Sequence, residues 1–98
     1  MDLIRVILAD DHAVVREGTR QLLEREDDIT VVGEANNGNI AIELVESLQP
    51  DVVVMDVRMP DMGGVEATKT IKKLFPKVEV LVMSAYDDDE FVFGSISL

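Results

Sequence analysis

Apolar residues along this chain fall into short unbroken runs that alternate with longer stretches of helical spacing. Leu3 to Ala9 (LIRVILA) is a β-branched run that stops abruptly at Asp10-Asp11-His12, as a buried strand does on reaching the edge of a sheet. Ala13 to Glu26 places Val14, Val15, Leu22 and Leu23 at helical spacing with Arg and Glu opposite, predicting a first helix. Ile29 to Gly33 predicts a second strand, and Asn36-Asn37-Gly38 is turn chemistry opening a helix over Asn39 to Leu48 that Pro50 closes. Asp51 to Met55 (DVVVM) shows no alternation, so helices are expected on both of its faces; it delivers Asp56 at its carboxyl end. Val57 to Gly64 reads as a loop, Val65 to Phe75 as a helix, and Val78 to Met83 as a fourth strand ending at Ser84. Tyr86 to Leu98 begins with acids suited to a helix N-terminus and carries Phe91, Val92 and Phe93, predicting the start of a fourth helix.

Four strands alternating with helices imply right-handed crossovers and a parallel sheet. The expected fold is α/β, a flavodoxin-like doubly wound sheet of strand order 2-1-3-4, with residues 1–98 as one domain. In such a sheet functional groups gather at the carboxyl ends of the strands, which is where Asp10, Asp11, Asp56 and Ser84 fall.

Composition narrows the chemistry. Aromatic residues are only 4% of the chain against 47% hydrophobic overall, so the core must be aliphatic. The absence of cysteine excludes disulfides, thiolate nucleophiles and Cys-based zinc sites. A net charge of -11 repels nucleic acid and anionic lipid, which disfavours both as direct partners and makes a cation the natural one. No run approaches the ~18 apolar residues of a membrane span. Asp2 and Arg5 interrupt any secretory hydrophobic region, so a cytoplasmic location without membrane attachment is expected.

Singly, Asp10 or Asp11 also suits a helix cap, and Asp56 a strand end surfacing into water. Together they converge, because strands one and three are neighbours in this topology. Convergent carboxylates either raise their pKa values or take up a cation, and hard oxygen ligands with room for water suit Mg²⁺. A carboxylate beside such an ion is a competent nucleophile toward phosphorus. Asp56, alone on the central strand, is the best placed, while the adjacent Asp10 and Asp11 suit holding the metal. The Ser84 hydroxyl and the Ala85 backbone N–H are candidate donors to a phosphoryl oxygen, although Ser84 equally fits a turn or helix start.

LADDH at Leu8 to His12, VVMDVRMP at Val53 to Pro60, the Gly63-Gly64 turn and MSAYDD at Met83 to Asp88 resemble response-regulator receiver domains of the NarL/FixJ type. The resemblance implies that Asp56 is the phosphoacceptor, that Asp11 and Asp56 supply metal carboxylates for Mg²⁺ or Mn²⁺, and that Asp10 acts mainly through a bound water. The backbone carbonyl of Arg58 completes the protein ligands, and its side chain occupies a position that tunes phosphate lifetime. Ser84 matches the switch hydroxyl. By the same resemblance a sensor histidine kinase is the phosphodonor. The chain's own chemistry is then limited to metal-dependent self-phosphorylation and dephosphorylation, and the parent is a transcription regulator binding DNA through a C-terminal helix-turn-helix.

The chain departs from that family at its end. Receivers close with a fifth strand carrying a switch aromatic and an essential lysine before a proline, then a fifth helix, and none of these is present. Lys69, Lys72, Lys73 and Lys77 lie on or just after the third helix and do not replace that lysine. The expectation is therefore a receiver cut within its fourth helix, with the fourth strand an open edge and a homodimer or larger assembly covering it.

Other readings fit less well. A haloacid-dehalogenase-type phosphatase needs a second acid at position 58, where Arg58 stands. A flavin or nucleotide binder needs a Gly- or Ser/Thr-rich loop after the first strand, the opposite of Asp10-Asp11-His12. A receiver-shaped interaction module that is never phosphorylated stays open as the rival of another class. His12 is read as solvent-exposed or locally packed, not as a ligand or phosphodonor.

Overall fold

The strands β1 (Ile4–Ala9), β2 (Ile29–Ala35), β3 (Val52–Asp56), β4 (Glu79–Tyr86) and β5 (Glu90–Ser95) lie in one sheet in the order β2-β1-β3-β4-β5. Three helices, α1 (Ala13–Glu24), α2 (Gly38–Leu48) and α3 (Gly64–Leu74), connect the first four strands, which run parallel. The computed structural model describes residues 3–59, 62–86 and 90–95, from residue 84 onward as backbone. The expected 2-1-3-4 parallel order is therefore present.

β3 runs down the middle with Val53, Val54, Met55 and Asp56 all buried, which is why its sequence shows no alternation. On one face Ile7, Ala9, Val53, Met55, Val80 and Val82 pack against the inner sides of α2 and α3. On the other, Val6, Leu8 and Val54 meet the half-buried Leu23 of α1 in a much smaller cluster. Fully buried Ile71 on α3 and Val45 on α2 anchor their helices, whereas α1 buries no residue completely and leaves Val14 87% and Leu22 61% exposed.

The amino ends of the strands are tied by polar groups. The Asp51 N–H donates to the Arg5 carbonyl (2.9 Å), and the Asp51 carbonyl accepts from the Glu79 N–H (3.1 Å), joining β1, β3 and β4. The Arg5 guanidinium donates to the carbonyls of Leu48 (2.7 Å) and Gln49 (2.9 Å), satisfying the exposed end of α2, where Gln49 turns the chain through a left-handed conformation (φ 48°). At the start of α2, Asn37 Oδ1 accepts from the Ile40 N–H (2.9 Å), the cap that the Asn-Asn-Gly turn foreshadows.

The expectation fails after β4. The segment read as the start of a fourth helix forms β5, antiparallel to β4, with Tyr86 opposite Glu90 and Met83 opposite Phe93. Strand propensity explains the difference: Phe91, Val92 and Phe93 are strong strand formers, and an unpaired β4 edge offers a ladder of free N–H and C=O groups. The expected open edge along β4 is thus paired, and Ser84 lies within β4, opposite Val92, instead of at its end. Asp87–Asp89, the acids that suggested the helix start, lie outside the described residues. β2 also runs two residues further than its apolar run, to Ala35.

Candidate metal centre

The carboxyl end of the sheet carries the chemistry because β1 and β3 are hydrogen-bonded neighbours, with Ala9 opposite Met55, and each runs straight into an acid. The Asp10 N–H continues the ladder to the Ala35 carbonyl (2.9 Å), and the Val57 N–H does so to the Met83 carbonyl (3.1 Å), so the backbones on both sides of the cluster are held by the sheet. One ligand atom each from Asp10, Asp11, His12 and Asp56 lie within 4.8 Å of one another. The structure therefore brings together the three acids singled out from sequence and adds His12.

Asp10 is the most constrained of the four. Its Oδ1 accepts from the His12 N–H (2.8 Å), and its carbonyl accepts from the Arg16 guanidinium (2.6 Å), which also pairs with Glu34 of β2 (2.9 Å). Its Oδ2 is buried and has no hydrogen-bond partner among the described residues. An anionic oxygen withdrawn from water without a donor is costly, and a cation placed among these carboxylates removes that cost. Asp11, more exposed, faces the same space, with its Oδ1 3.0 Å from His12 Nδ1.

Asp56 is also buried, and its Oδ1 accepts from the Arg58 N–H (3.1 Å). Burial pushes its carboxyl above the ordinary range; the Arg58 N–H opposes that rise, and the charges of Asp10 and Asp11 add to it. The donor set is hard oxygen in a partly buried crevice, and it fits a divalent cation of the Mg²⁺ type.

Two residues to which the sequence alone gave no role at this site, Arg16 and Gly64, shape it. Arg16 reaches back from α1 to fix the Asp10 backbone; its spacing of one turn from His12, whose carbonyl accepts its N–H (2.9 Å), was the available signal. Gly64 starts α3 hard against β3, and a Cβ there would collide with the carbonyl of Asp56. That explains why the second residue of the Gly63-Gly64 turn is glycine, on grounds of space and not of torsion.

His12 corrects an expectation in part. Its side chain is 63% exposed, as expected, yet its Nδ1 turns inward, 3.2 Å from Asp10 Oδ1 and 3.8 Å from Asp56 Oδ2. Arg58 is exposed beside the cluster. The side chains of Ser84 and Ala85 lie outside the described residues; their backbones pair with Val92 and Phe91. Lys72 is far from the acids and donates to the carbonyls of Val78 (3.0 Å) and Pro76 (3.5 Å). A cavity of about 390 Å³ between the ends of α2 and α3 includes Phe75, Pro76 and Lys77 at the opposite end of the sheet and, among the described residues, holds no such cluster.

Comparison with known proteins places this geometry. The chain is 43% identical over 89 residues to the transcriptional regulatory protein DegU of Brevibacillus brevis, covering 91% of this chain and 38% of that protein. It is 40% identical over 94 residues to the transcriptional regulatory protein YdfI of Bacillus subtilis, covering 96% of this chain and 44% of that one. It therefore spans less than half the length of these curated relatives. Among solved structures, the signal receiver domain of the response regulator NarL from Mycobacterium tuberculosis superposes with a TM-score of 0.84 at 36% identity, over 91% of this chain and 72% of that one. The response regulator domain of Thermotoga maritima CheB does so with a TM-score of 0.82 at 37% identity, over 89% and 64%. Residues 6–97 match the response regulator receiver domain family, and with acids at the ends of β1 and β3 meeting as they do, the chain belongs to that family.

Proposed function

We propose that this chain accepts a phosphoryl group on Asp56 from the phosphohistidine of a sensor kinase, with Mg²⁺ or Mn²⁺ held by Asp10, Asp11, Asp56 and the backbone carbonyl of Arg58. The observation that carries this reading is the buried Asp10 Oδ2, without a hydrogen-bond partner among the described residues, together with an Asp56 carboxyl held above its ordinary range. When bound, the cation neutralises the carboxylates and the charge on the transferring phosphoryl oxygens.

The chain's own residues do the rest. Asp56 supplies the nucleophilic oxygen: an O–P bond forms as the N–P bond to the donor imidazole breaks, and the imidazole nitrogen keeps the electron pair. The Arg58 N–H fixes the Asp56 carboxylate through Oδ1 (3.1 Å), and Arg16 fixes the Asp10 backbone, so the acids are positioned before the donor arrives. The Ser84 hydroxyl and Ala85 N–H serve the phosphoryl oxygens, Ser84 carries the change to the surface around it, and the exposed Arg58 side chain tunes how long the phosphate persists. The product is the modified chain itself, so no external substrate is turned over.

Residues 1–98 act as one receiver domain of a longer regulator, working in the cytoplasm. Relatives are named transcriptional regulatory proteins, which supports a parent that reads DNA through a helix-turn-helix elsewhere in its chain. The acidic receiver, at -11, contacts neither nucleic acid nor membrane directly. Among the described residues no helix is long and apolar enough to cross a membrane.

Incubation with acetyl phosphate and Mg²⁺ followed by intact mass tests the reading. The expected result is a gain of one phosphoryl group in the wild type and none in Asp56→Asn; no gain in either overturns it. A second reading, an unphosphorylated interaction module that forms a homodimer or larger assembly, draws on the exposed Val14 and Leu22 of α1. It predicts a dimer in sedimentation at micromolar concentration, unchanged by acetyl phosphate, and a monodisperse monomer counts against it.

A further inference from the structure

We propose that His12 is a nitrogen ligand of this metal centre and shifts its preference from Mg²⁺ toward borderline transition-metal dications such as Co²⁺ and Zn²⁺. The inference rests on the reading that the acidic cluster holds a divalent cation.

The geometry carries it. His12 stands at the N-cap of α1 in an extended conformation, but its side chain makes no capping hydrogen bond. The ring turns instead to the carboxylates, with Nδ1 3.0 Å from Asp11 Oδ1, 3.2 Å from Asp10 Oδ1 and 3.8 Å from Asp56 Oδ2. Ligands about 2.1 Å from a six-coordinate ion lie about 3.0 Å apart when adjacent and about 4.2 Å when opposite. The three separations around Nδ1 fall across that range. The ring stays 63% exposed, so it lies on the solvent side of the cluster with the exposed Asp11, while Asp10 and Asp56 are buried.

An independent observation points to a cation at this spot. Among the described residues Asp10 Oδ2 has no hydrogen-bond partner although its side chain is only 4% exposed, a costly state for an anionic oxygen that a nearby cation relieves. A hard ion alone needs only the oxygens. The addition of an imidazole changes which ion gains most, because imidazole suits Zn²⁺, Ni²⁺ and Cu²⁺, whereas Mg²⁺ favours oxygen and retains its waters. His12 therefore makes the centre selective.

The chain contains one histidine and no cysteine, so an imidazole signature in a metal complex has a single source. The test uses the untagged chain, titrated with Co²⁺ and separately with Mg²⁺, following visible absorption and the ring proton resonances of His12. The comparison is wild type against His12→Asn, a substitution that keeps a favourable N-cap. The expected result is Co²⁺ binding weakened on the order of tenfold in His12→Asn, with Mg²⁺ affinity changed less than about twofold. Strongly shifted ring resonances are expected in the wild-type Co²⁺ complex. Equal Co²⁺ affinities and identical spectra overturn the role of His12 while leaving the oxygen site standing. Absence of binding by either metal to either protein overturns the metal reading itself and this inference with it.

Discussion

Asp51 and Asp56 bracket the same strand, and their surroundings make them opposites. Asp51, at the amino end of β3, is exposed, and its Oδ2 accepts from the Arg5 N–H (2.8 Å) while its backbone joins β1 and β4. Asp56, at the carboxyl end, is buried beside two further acids, and the Arg58 N–H is the one donor to its carboxylate among the described residues. One aspartate supports the sheet and the other strains it. An acid that costs stability where a neutral residue of the same shape would not is a mark of a functional site.

The contrast is most strongly broken by removing the space beside Asp56. Gly64→Ala places a methyl group against the Asp56 carbonyl, so α3 or the end of β3 must shift. A loss of about 3 kcal/mol is expected in urea unfolding. A neutral result would mean that α3 does not fix the position of Asp56.

Smaller effects of opposite sign are expected at the two acids themselves. Asp51→Ala removes the acceptor of the Arg5 N–H and is expected to lower stability by about 1 kcal/mol. Asp56→Asn keeps the shape and removes a buried like charge; without divalent cations at neutral pH it is expected to raise stability by about 1 kcal/mol. Equal destabilisation by both in the same urea series would erase the distinction between the two ends of the strand.

The smallest effect is a slope with pH. Because the Asp56 carboxyl is held above its ordinary value of 3.8, the folded chain binds that proton more tightly than the unfolded chain does. The contribution to stability is thus complete below the ordinary value and is lost as pH rises through the raised one. Cation-free urea midpoints across that window are expected to fall more steeply with pH for the wild type than for Asp56→Asn, and parallel curves would contradict the assigned cause.

Most of the framework was legible because burial on both faces writes uninterrupted apolar runs, as in Val52 to Met55, and each run ends where the sheet does. The acids were legible for the same reason: the parallel topology that the runs imply puts the ends of β1 and β3 side by side. His12 was not, since a lone histidine carries no period and its approach depends on a side-chain rotation. Arg16 and Gly64 act on the backbone carbonyls of Asp10 and Asp56, and of the two only Arg16, one turn from His12, left a signal in spacing. The last segment misled because its acids suggested a helix start, whereas Glu90–Ser95 takes the free edge of β4.

A divalent cation is expected to relieve the mutual repulsion of Asp10, Asp11 and Asp56. Thermal unfolding of the wild type and Asp56→Asn, each with and without saturating Mg²⁺, tests it most directly. Asp56→Asn is expected to melt higher without Mg²⁺, and adding Mg²⁺ is expected to raise the wild type more than the variant. A wild type indifferent to Mg²⁺, together with a variant that melts lower than it, would contradict the claim.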